Sequence, residues 1–142
     1  MKSRETLIRL KRFQVDEKRR QVAQIEAMIA EFERMARDLD HEIQVEQDRA
    51  GISDVAHYAY PIYARAAMQR RDNLHRSAEE MRTQLADAQA ELGEAFEELK
   101  KVELLEERDS ARERQAGAAR DQADLDQVGL QAHHRRGNLR AS

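Results

Sequence analysis

The residues of this chain that could do acid–base chemistry are its carboxylates and five histidines, and their spacing does not favour catalysis. Paired acids such as Glu97 and Glu98 lie where we predict an exposed helix, so both stay ionised and solvated. The acids and histidine within residues 38–42 are one and two positions apart, and such neighbours point to different faces of a helix. His133 and His134 lie in a predicted tail. We therefore expect no catalytic residue and no metal site.

The absence of cysteine narrows the chemistry further. It excludes disulfides, thiolate nucleophiles and cysteine-based zinc or iron–sulfur sites, and it is typical of a reducing compartment. The glycines are isolated, so no phosphate-binding loop is predicted. Residues 1–13 alternate charged and apolar side chains and lack the apolar region of a secretion signal. No stretch approaches the roughly 18 apolar residues of a membrane span. We expect a cytosolic protein that is not an enzyme and has no cofactor.

All three tyrosines, Tyr58, Tyr60 and Tyr63, lie within six positions of one another. Tyrosine supplies a large contact area at low entropic cost, and it is frequent among the residues that anchor protein partners. The tyrosines could equally cap one end of the fold locally. The sequence leaves both interpretations open.

The elements that must position these residues are two helices. With 37% charged and 4% aromatic residues the chain lacks the side chains of a thick core, and most of its residues are good helix formers. Two apolar stripes with alternating spacings of three and four predict a coiled coil of helix one, about 4–50, and helix two, about 61–130. Alanine recurs in the second stripe, which favours a closely approaching antiparallel partner. The stripes are Val22, Ile25, Ile29, Phe32, Ala36, Leu39 and Ile43, and then Leu74, Ala78, Met81, Leu85, Ala88, Leu92, Ala95, Leu99 and Val102.

The stripes are interrupted between residues 51 and 60, where we predict the turn. Gly51 is suited to the position after a helix, and Pro61 is suited to the first turn of a new helix. The prediction is a single coiled-coil domain over residues 1–142, all-α, folded as a long antiparallel two-helix hairpin. Its C-terminal helix overhangs, and residues 131–142 form a disordered tail.

Charge supports this reversal of the chain. Residues 1–20 carry eight Lys/Arg and three acids, whereas residues 90–109 carry eight acids and three Lys/Arg. If the chain folds back near residue 55, residue i lies opposite a residue near 110 − i, and the two stretches attract each other. An antiparallel domain-swapped dimer would satisfy the same pairing, so the oligomeric state stays open. Residues 106–130 have no partner within the chain and either fray or bind another molecule.

Three segments resemble the FliJ family, the coiled-coil component of the flagellar type III export apparatus, and the related YscO-type stalk proteins. They are Tyr60-Pro-Ile-Tyr63, the stretch from Leu99 to Arg114 that contains Leu-Leu-Glu-Glu-Arg, and Gln122-Ala-Asp-Leu-Asp-Gln-Val128. The resemblance covers nearly the whole chain. It implies a role in flagellum assembly, and hence in motility and chemotaxis, rather than an enzymatic activity.

The resemblance also implies partners. They are an export ATPase ring, an export gate of the FlhA type and export chaperones, so the protein would lie at the inner face of the cell membrane through its partners only. The implied gate-binding residues follow the turn, and they are Tyr60, Tyr63, Ala67, Arg70 and Leu74. Arg70 and the small Ala67 depart from an apolar stripe. The implied ATPase-binding residues are Arg4, Arg9, Arg12, Arg108, Arg112 and Arg114.

Two other classes of function are compatible with the residues: a general coiled-coil adaptor or chaperone, and a nucleic-acid-associated helical protein. The second would use the Lys/Arg clusters at residues 2–20, 70–71 and 135–136. The chain lacks the overall basic charge and the interleaved aromatic residues of nucleic-acid binders. We therefore expect no nucleic-acid partner.

Overall fold

A computed structural model describes the backbone of residues 2–141 and the side chains of residues 3–137. Helix α1 spans Lys2–Ala50 and helix α2 spans Ile62–Ala141, and the described residues contain no strand. The two helices pack against each other as an antiparallel hairpin, which confirms the predicted fold class. The single domain over residues 1–142 stays a prediction, and its end residues Met1 and Ser142 lie outside the described part.

Two compact units divide the chain: Arg9–Glu98, and Met1–Ile8 together with Leu99–Ser142. In the first unit, the two predicted stripes face each other and form two clusters of buried side chains. Each cluster takes residues from both helices, because an amphipathic helix buries its apolar face against another helix. One cluster consists of Val22, Ile25, Ile29 and Ala88 with Met81, Leu85 and Leu92 packed against it, and the other of Leu39, Ile43 and Ala67 with Met68 and Leu74.

Alanines are among the most deeply buried residues of the Arg9–Glu98 unit. Ala36 and Ala64 are fully buried, and Ala78 is 1% exposed. A buried alanine contributes little apolar area, but its small side chain lets two helix backbones approach closely. Part of the buried surface of this unit is therefore made by alanine rather than by bulky side chains.

The turn between the helices is built as the glycine and proline predict. Gly51 has a φ of 68°, a left-handed conformation that glycine adopts without the steric penalty of a Cβ, and its N–H donates to the Gln47 carbonyl at 2.9 Å. Pro61 precedes α2, and its carbonyl accepts the N–H of Arg65 at 3.1 Å. The Asp54 carboxylate accepts the N–H of Ala56 at 3.0 Å, so it stabilises the turn itself rather than the start of α2.

The second unit contains the first residues of α1 and the last part of α2. Arg4 donates to Asp109, and its guanidinium lies 3.8 Å from the Glu106 carboxylate, so these segments of α1 and α2 are in contact. From residue 112 to residue 137 the side chains of α2 are exposed, with Gly117 half-buried. A disordered tail was predicted over about residues 131–142, and in the described part of that segment α2 continues to Ala141. No proline interrupts this segment, and isolated glycines lower helix propensity without ending a helix.

Candidate partner-binding surfaces

Ion pairs between the helices fix their register. In the Arg9–Glu98 unit Lys11 Nζ lies 2.8 Å from the Glu98 carboxylate, and Lys18 Nζ lies 2.8 Å from that of Glu91. These pairs join the basic start of the chain to the acidic stretch and confirm the predicted pairing of residue i with a residue near 110 − i. Exposed ion pairs are worth only about 0.2–1 kcal/mol each, so they select the register more than they stabilise the hairpin.

The tip of the hairpin uses one tyrosine as an internal cap. Tyr60 is 4% exposed. Its hydroxyl accepts a hydrogen bond from Gln47 Nε2 at 2.8 Å and donates to Met68 Sδ at 3.5 Å, and the Arg65 guanidinium lies over its ring. Tyr60 therefore joins α1, the turn and α2, and it offers little surface to a partner.

The other two tyrosines are exposed. Tyr58 is 96% exposed and stacks on His57, with ring centroids 4.7 Å apart. Tyr63 is 52% exposed, and its hydroxyl donates to the Glu42 carboxylate on α1 at 2.8 Å. Tyr60 is therefore a local cap, whereas Tyr58 and Tyr63 present ring surface to solvent, and their role as anchors for a partner stays a prediction.

The residues expected to bind the export gate do not form one exposed stripe. Ala67 is 3% exposed and belongs to a core cluster, and Tyr60 is buried as described. Tyr63 and Arg70 are exposed, and Leu74 is half-buried with part of its side chain against the core. The accessible part of the predicted set is thus Tyr63, Arg70 and Leu74.

Helix α1 contributes a residue to this surface that the sequence reasoning missed. Met35 is 38% exposed and lines the same shallow groove as Arg70 and Leu74, which has a volume of about 220 Å³. Met35 lies beside the predicted stripe residue Ala36, and Met28 precedes it by seven positions. The spacing of seven residues between these two methionines is the sequence signal that could have indicated a second exposed apolar stripe on α1.

Charged neighbours shift the pKa of two groups near this groove. The hydrogen bond to the Glu42 carboxylate raises the pKa of the Tyr63 phenol, because losing the proton would set two negative charges side by side. The hydrogen bond to Asp40, whose carboxylate lies 2.9 Å away, raises the pKa of the Arg71 guanidinium. Both interactions cross between the helices, so they fix how α1 and α2 face each other at this level of the hairpin.

The residues expected to bind the export ATPase fall in both units. Arg4, Arg108, Arg112 and Arg114 belong to the unit that contains the end of α2, whereas Arg9 and Arg12 belong to Arg9–Glu98. Arg4 is engaged with Asp109 and Glu106, so its charge is balanced within its own unit. The other five guanidinium side chains are exposed.

The end of α2 also presents apolar side chains to solvent. Leu125, Val128 and Leu130 are 66%, 61% and 70% exposed. Among the described residues no three acidic or histidine side chains come together as a metal site, and no helix is long and apolar enough to cross a membrane.

Comparison with known proteins bears on these surfaces. The family model described as flagellar FliJ protein matches residues 1–138. No curated protein and no solved structure was found to be similar.

Proposed function

We propose that this chain, which belongs to the FliJ family of flagellar proteins, is a stalk. The stalk would couple an export ATPase ring to an export gate. Membership of this non-catalytic family implies a function related to flagellar protein export and flagellum assembly. The match over residues 1–138 is the observation that carries the proposal. The proposal includes the coupling role, the individual partners, help to export chaperones and attachment to the membrane through those partners. It also includes the absence of enzymatic activity.

The exposed segment of α2 supports the contact with the ATPase ring. Packing against another surface supplies most of the stability of a helix in water. The side chains of α2 are exposed from residue 112 to residue 137. This segment is therefore suited to binding in a groove or a ring of another protein. Arg108, Arg112 and Arg114 offer guanidinium groups that can bind carboxylates in two-pronged geometry. Leu125 and Val128 would add apolar contact further along the same helix.

The groove near the turn supports the contact with the gate. Tyr63 and Leu74 are accessible apolar surfaces on α2, and their positions are held by the Glu42 hydrogen bond and by the core cluster. Side chains that are fixed before binding lose less conformational entropy when a partner arrives. Tyr63, Arg70 and Leu74 are therefore the proposed gate-binding residues, whereas the buried Tyr60 and Ala67 would act by holding this surface in place.

ATP hydrolysis by the export ATPase from the same organism tests the ATPase contact. The purified chain should co-purify with the ATPase and raise its turnover. Arg112→Glu combined with Arg114→Glu should raise the concentration needed for half-maximal stimulation by roughly tenfold or more, as is typical for reversed charges at an interface. Arg37→Glu, an exposed arginine of α1 outside the predicted surfaces, is the matched control. Equal stimulation by all three proteins would refute the assignment of these arginines.

Binding to the soluble domain of the gate tests the other end. Tyr63→Ala and Leu74→Ala should weaken the affinity, while the far-UV circular dichroism of both variants stays that of the wild type. A wild-type chain that neither stimulates the ATPase nor binds the gate would refute the coupling role. Affinity for nucleic acid that falls steeply with salt would instead favour a nucleic-acid-associated protein.

A further inference from the structure

One side of α2 combines exposed leucines with basic residues, in the unit that contains the first residues of α1 and the end of α2. Each residue advances about 100° around a helix, so residues three, four and seven positions apart share one side. Within the stretch 101–115, an arc of about 120° centred on Arg108 carries basic, apolar and small uncharged residues. We call this arc the basic face, and it consists of Lys101, Leu104, Leu105, Arg108, Ala111, Arg112 and Gln115.

The two leucines of the basic face are not covered by the hairpin. Leu99 and Val102 are the last residues of the apolar stripe of α2, and Leu99 is 7% exposed. Leu104 and Leu105 lie outside that stripe, and they are 53% and 48% exposed. The basic face therefore presents apolar surface that another body could remove from water.

The charges of the basic face are all positive and uncompensated. Lys101, Arg108 and Arg112 are exposed, and none of them forms a hydrogen bond or a salt bridge with another residue that the structure describes. An anionic surface is the partner that would balance three such charges at once.

The acids of the same stretch lie on other sides of α2. Arg4 of α1 donates to Asp109, and its guanidinium lies 3.8 Å from the Glu106 carboxylate, so these two acids are turned toward α1. Every acid of the stretch 101–115 lies about 100° or more from the centre of the basic face. The acids are Glu103, Glu106, Glu107, Asp109 and Glu113. Contacts within the unit thus separate the two signs of charge around one helix.

We propose that the basic face binds the surface of a bilayer that contains anionic phospholipids. A helix that lies on such a surface places its apolar side chains at the boundary between headgroups and acyl chains and its Lys/Arg side chains among the phosphates. Leu104 and Leu105 occupy that boundary, while Lys101, Arg108 and Arg112 contact lipid phosphates. The proposed function attaches the chain to the membrane through other proteins, whereas this contact is direct.

Co-sedimentation of the full chain with phospholipid vesicles tests the inference. The wild type should bind vesicles that contain equal amounts of phosphatidylglycerol and phosphatidylcholine, and it should not bind phosphatidylcholine alone. Each cation near an anionic surface strengthens binding about fivefold, so Arg108→Glu, which also adds a repelled charge, should weaken binding about tenfold or more. Leu104→Ser combined with Leu105→Ser should weaken it about fivefold or more, because less apolar surface enters the bilayer.

Inorganic phosphate distinguishes a bilayer from a free anion. At an ionic strength matched with chloride, phosphate should not displace the wild type from the vesicles, since it offers no apolar boundary for the leucines. Displacement by phosphate would overturn the assignment to a bilayer. Raising the salt concentration should weaken the wild type more than Arg108→Gln, because the wild type has one more charge to screen.

Arg120→Glu is the matched control. Arg120 is an exposed arginine of the same helix, about 120° from the centre of the basic face, and its reversal changes the net charge as much as Arg108→Glu does. This control should bind vesicles as the wild type does, and far-UV circular dichroism should be equal in all variants. Equal weakening by Arg120→Glu and Arg108→Glu would show attraction by net charge alone and refute the basic face.

The two proposals for this chain fail separately. A wild type that binds anionic vesicles but does not stimulate the export ATPase would refute the proposed function and leave the membrane contact standing. A wild type that stimulates the ATPase but does not bind anionic vesicles would refute the membrane contact. If the double leucine variant then also lost stimulation, the basic face would belong to a protein partner instead.

Discussion

Enlarging Ala36 to leucine tests whether the helices are held by close approach at alanine. In a coiled coil whose helices are spaced by large side chains, leucine at a seam position adds buried apolar surface and stabilises the fold. Ala36 is fully buried in the helix pair of the Arg9–Glu98 unit. The structure therefore predicts that Ala36→Leu destabilises the hairpin.

The magnitude follows from two opposing contributions. Leucine adds three carbon atoms, and their burial in existing space would contribute about 2 kcal/mol at roughly 0.8 kcal/mol for each methylene group. A side chain that is already fully buried leaves no such space, and overpacking a closely packed site costs about 1–3 kcal/mol. We expect the free energy of unfolding to fall by about 2 kcal/mol in Ala36→Leu.

Urea unfolding followed by far-UV circular dichroism measures this change. Ala30→Leu is the matched control, since Ala30 is an exposed alanine of the same helix, and its unfolding free energy should stay within about 0.5 kcal/mol of the wild type. The denaturant dependence of the unfolding free energy should be equal in all three proteins, so that the midpoints report stability. A higher urea midpoint for Ala36→Leu than for the wild type would refute close packing at this site.

Three further predictions concern the register, the turn and the groove. Lys18→Glu should lower the free energy of unfolding by about 1 kcal/mol or less, and this loss should be smaller in high salt. Combining Lys18→Glu with Glu91→Lys should restore the free energy of unfolding. No recovery in the double variant would contradict the pairing of Lys18 with Glu91. Gly51→Ala should cost about 1–2 kcal/mol in urea unfolding because its φ of 68° is left-handed, and an unchanged midpoint would contradict that strain. The hydrogen bond to the Glu42 carboxylate raises the pKa of Tyr63, so the stability that this bond contributes is present below the ordinary pKa of a phenol and is lost as the pH rises through the raised pKa. A ¹³C NMR titration should show a lower Tyr63 pKa in Glu42→Gln than in the wild type. An unchanged Tyr63 pKa in Glu42→Gln would contradict the hydrogen bond.

The hairpin could be predicted because its determinants are periodic and close in sequence. The two stripes gave the buried faces of both helices, and the opposite charges of residues 1–20 and 90–109 gave their relative direction. Lys11 and Lys18 occupy positions where an apolar residue would continue the first stripe, and each forms an ion pair with an acid of α2. The lysines that interrupt the first apolar stripe therefore help to determine which residues of α1 and α2 face each other.

The surface near the turn could not be predicted in the same way. Heptad spacing gives the angle of a side chain around its own helix, but not the angle at which the chain leaves the turn. The turn decides that Tyr60 is buried between helices and that Ala67 enters the core, whereas Tyr63 stays accessible. The extent of α2 is hard to predict for a related reason, since no packing partner in the sequence marks residues 131–141 as helical.

The small alanines and the accessible groove are two consequences of one packing choice. A large residue at position 67 would hold α1 and α2 apart, whereas the buried Ala67 allows the helices to approach. Met35 of α1 lines one concavity with Arg70 and Leu74 of α2, so the other helix supplies apolar surface that the α2 stripe lacks. Ala67 and Arg70 depart from an apolar stripe on α2, but an apolar surface can still form there because α1 contributes Met35. In this chain, the geometry of the helix pair, rather than the pattern of α2 alone, decides which side chains line the groove.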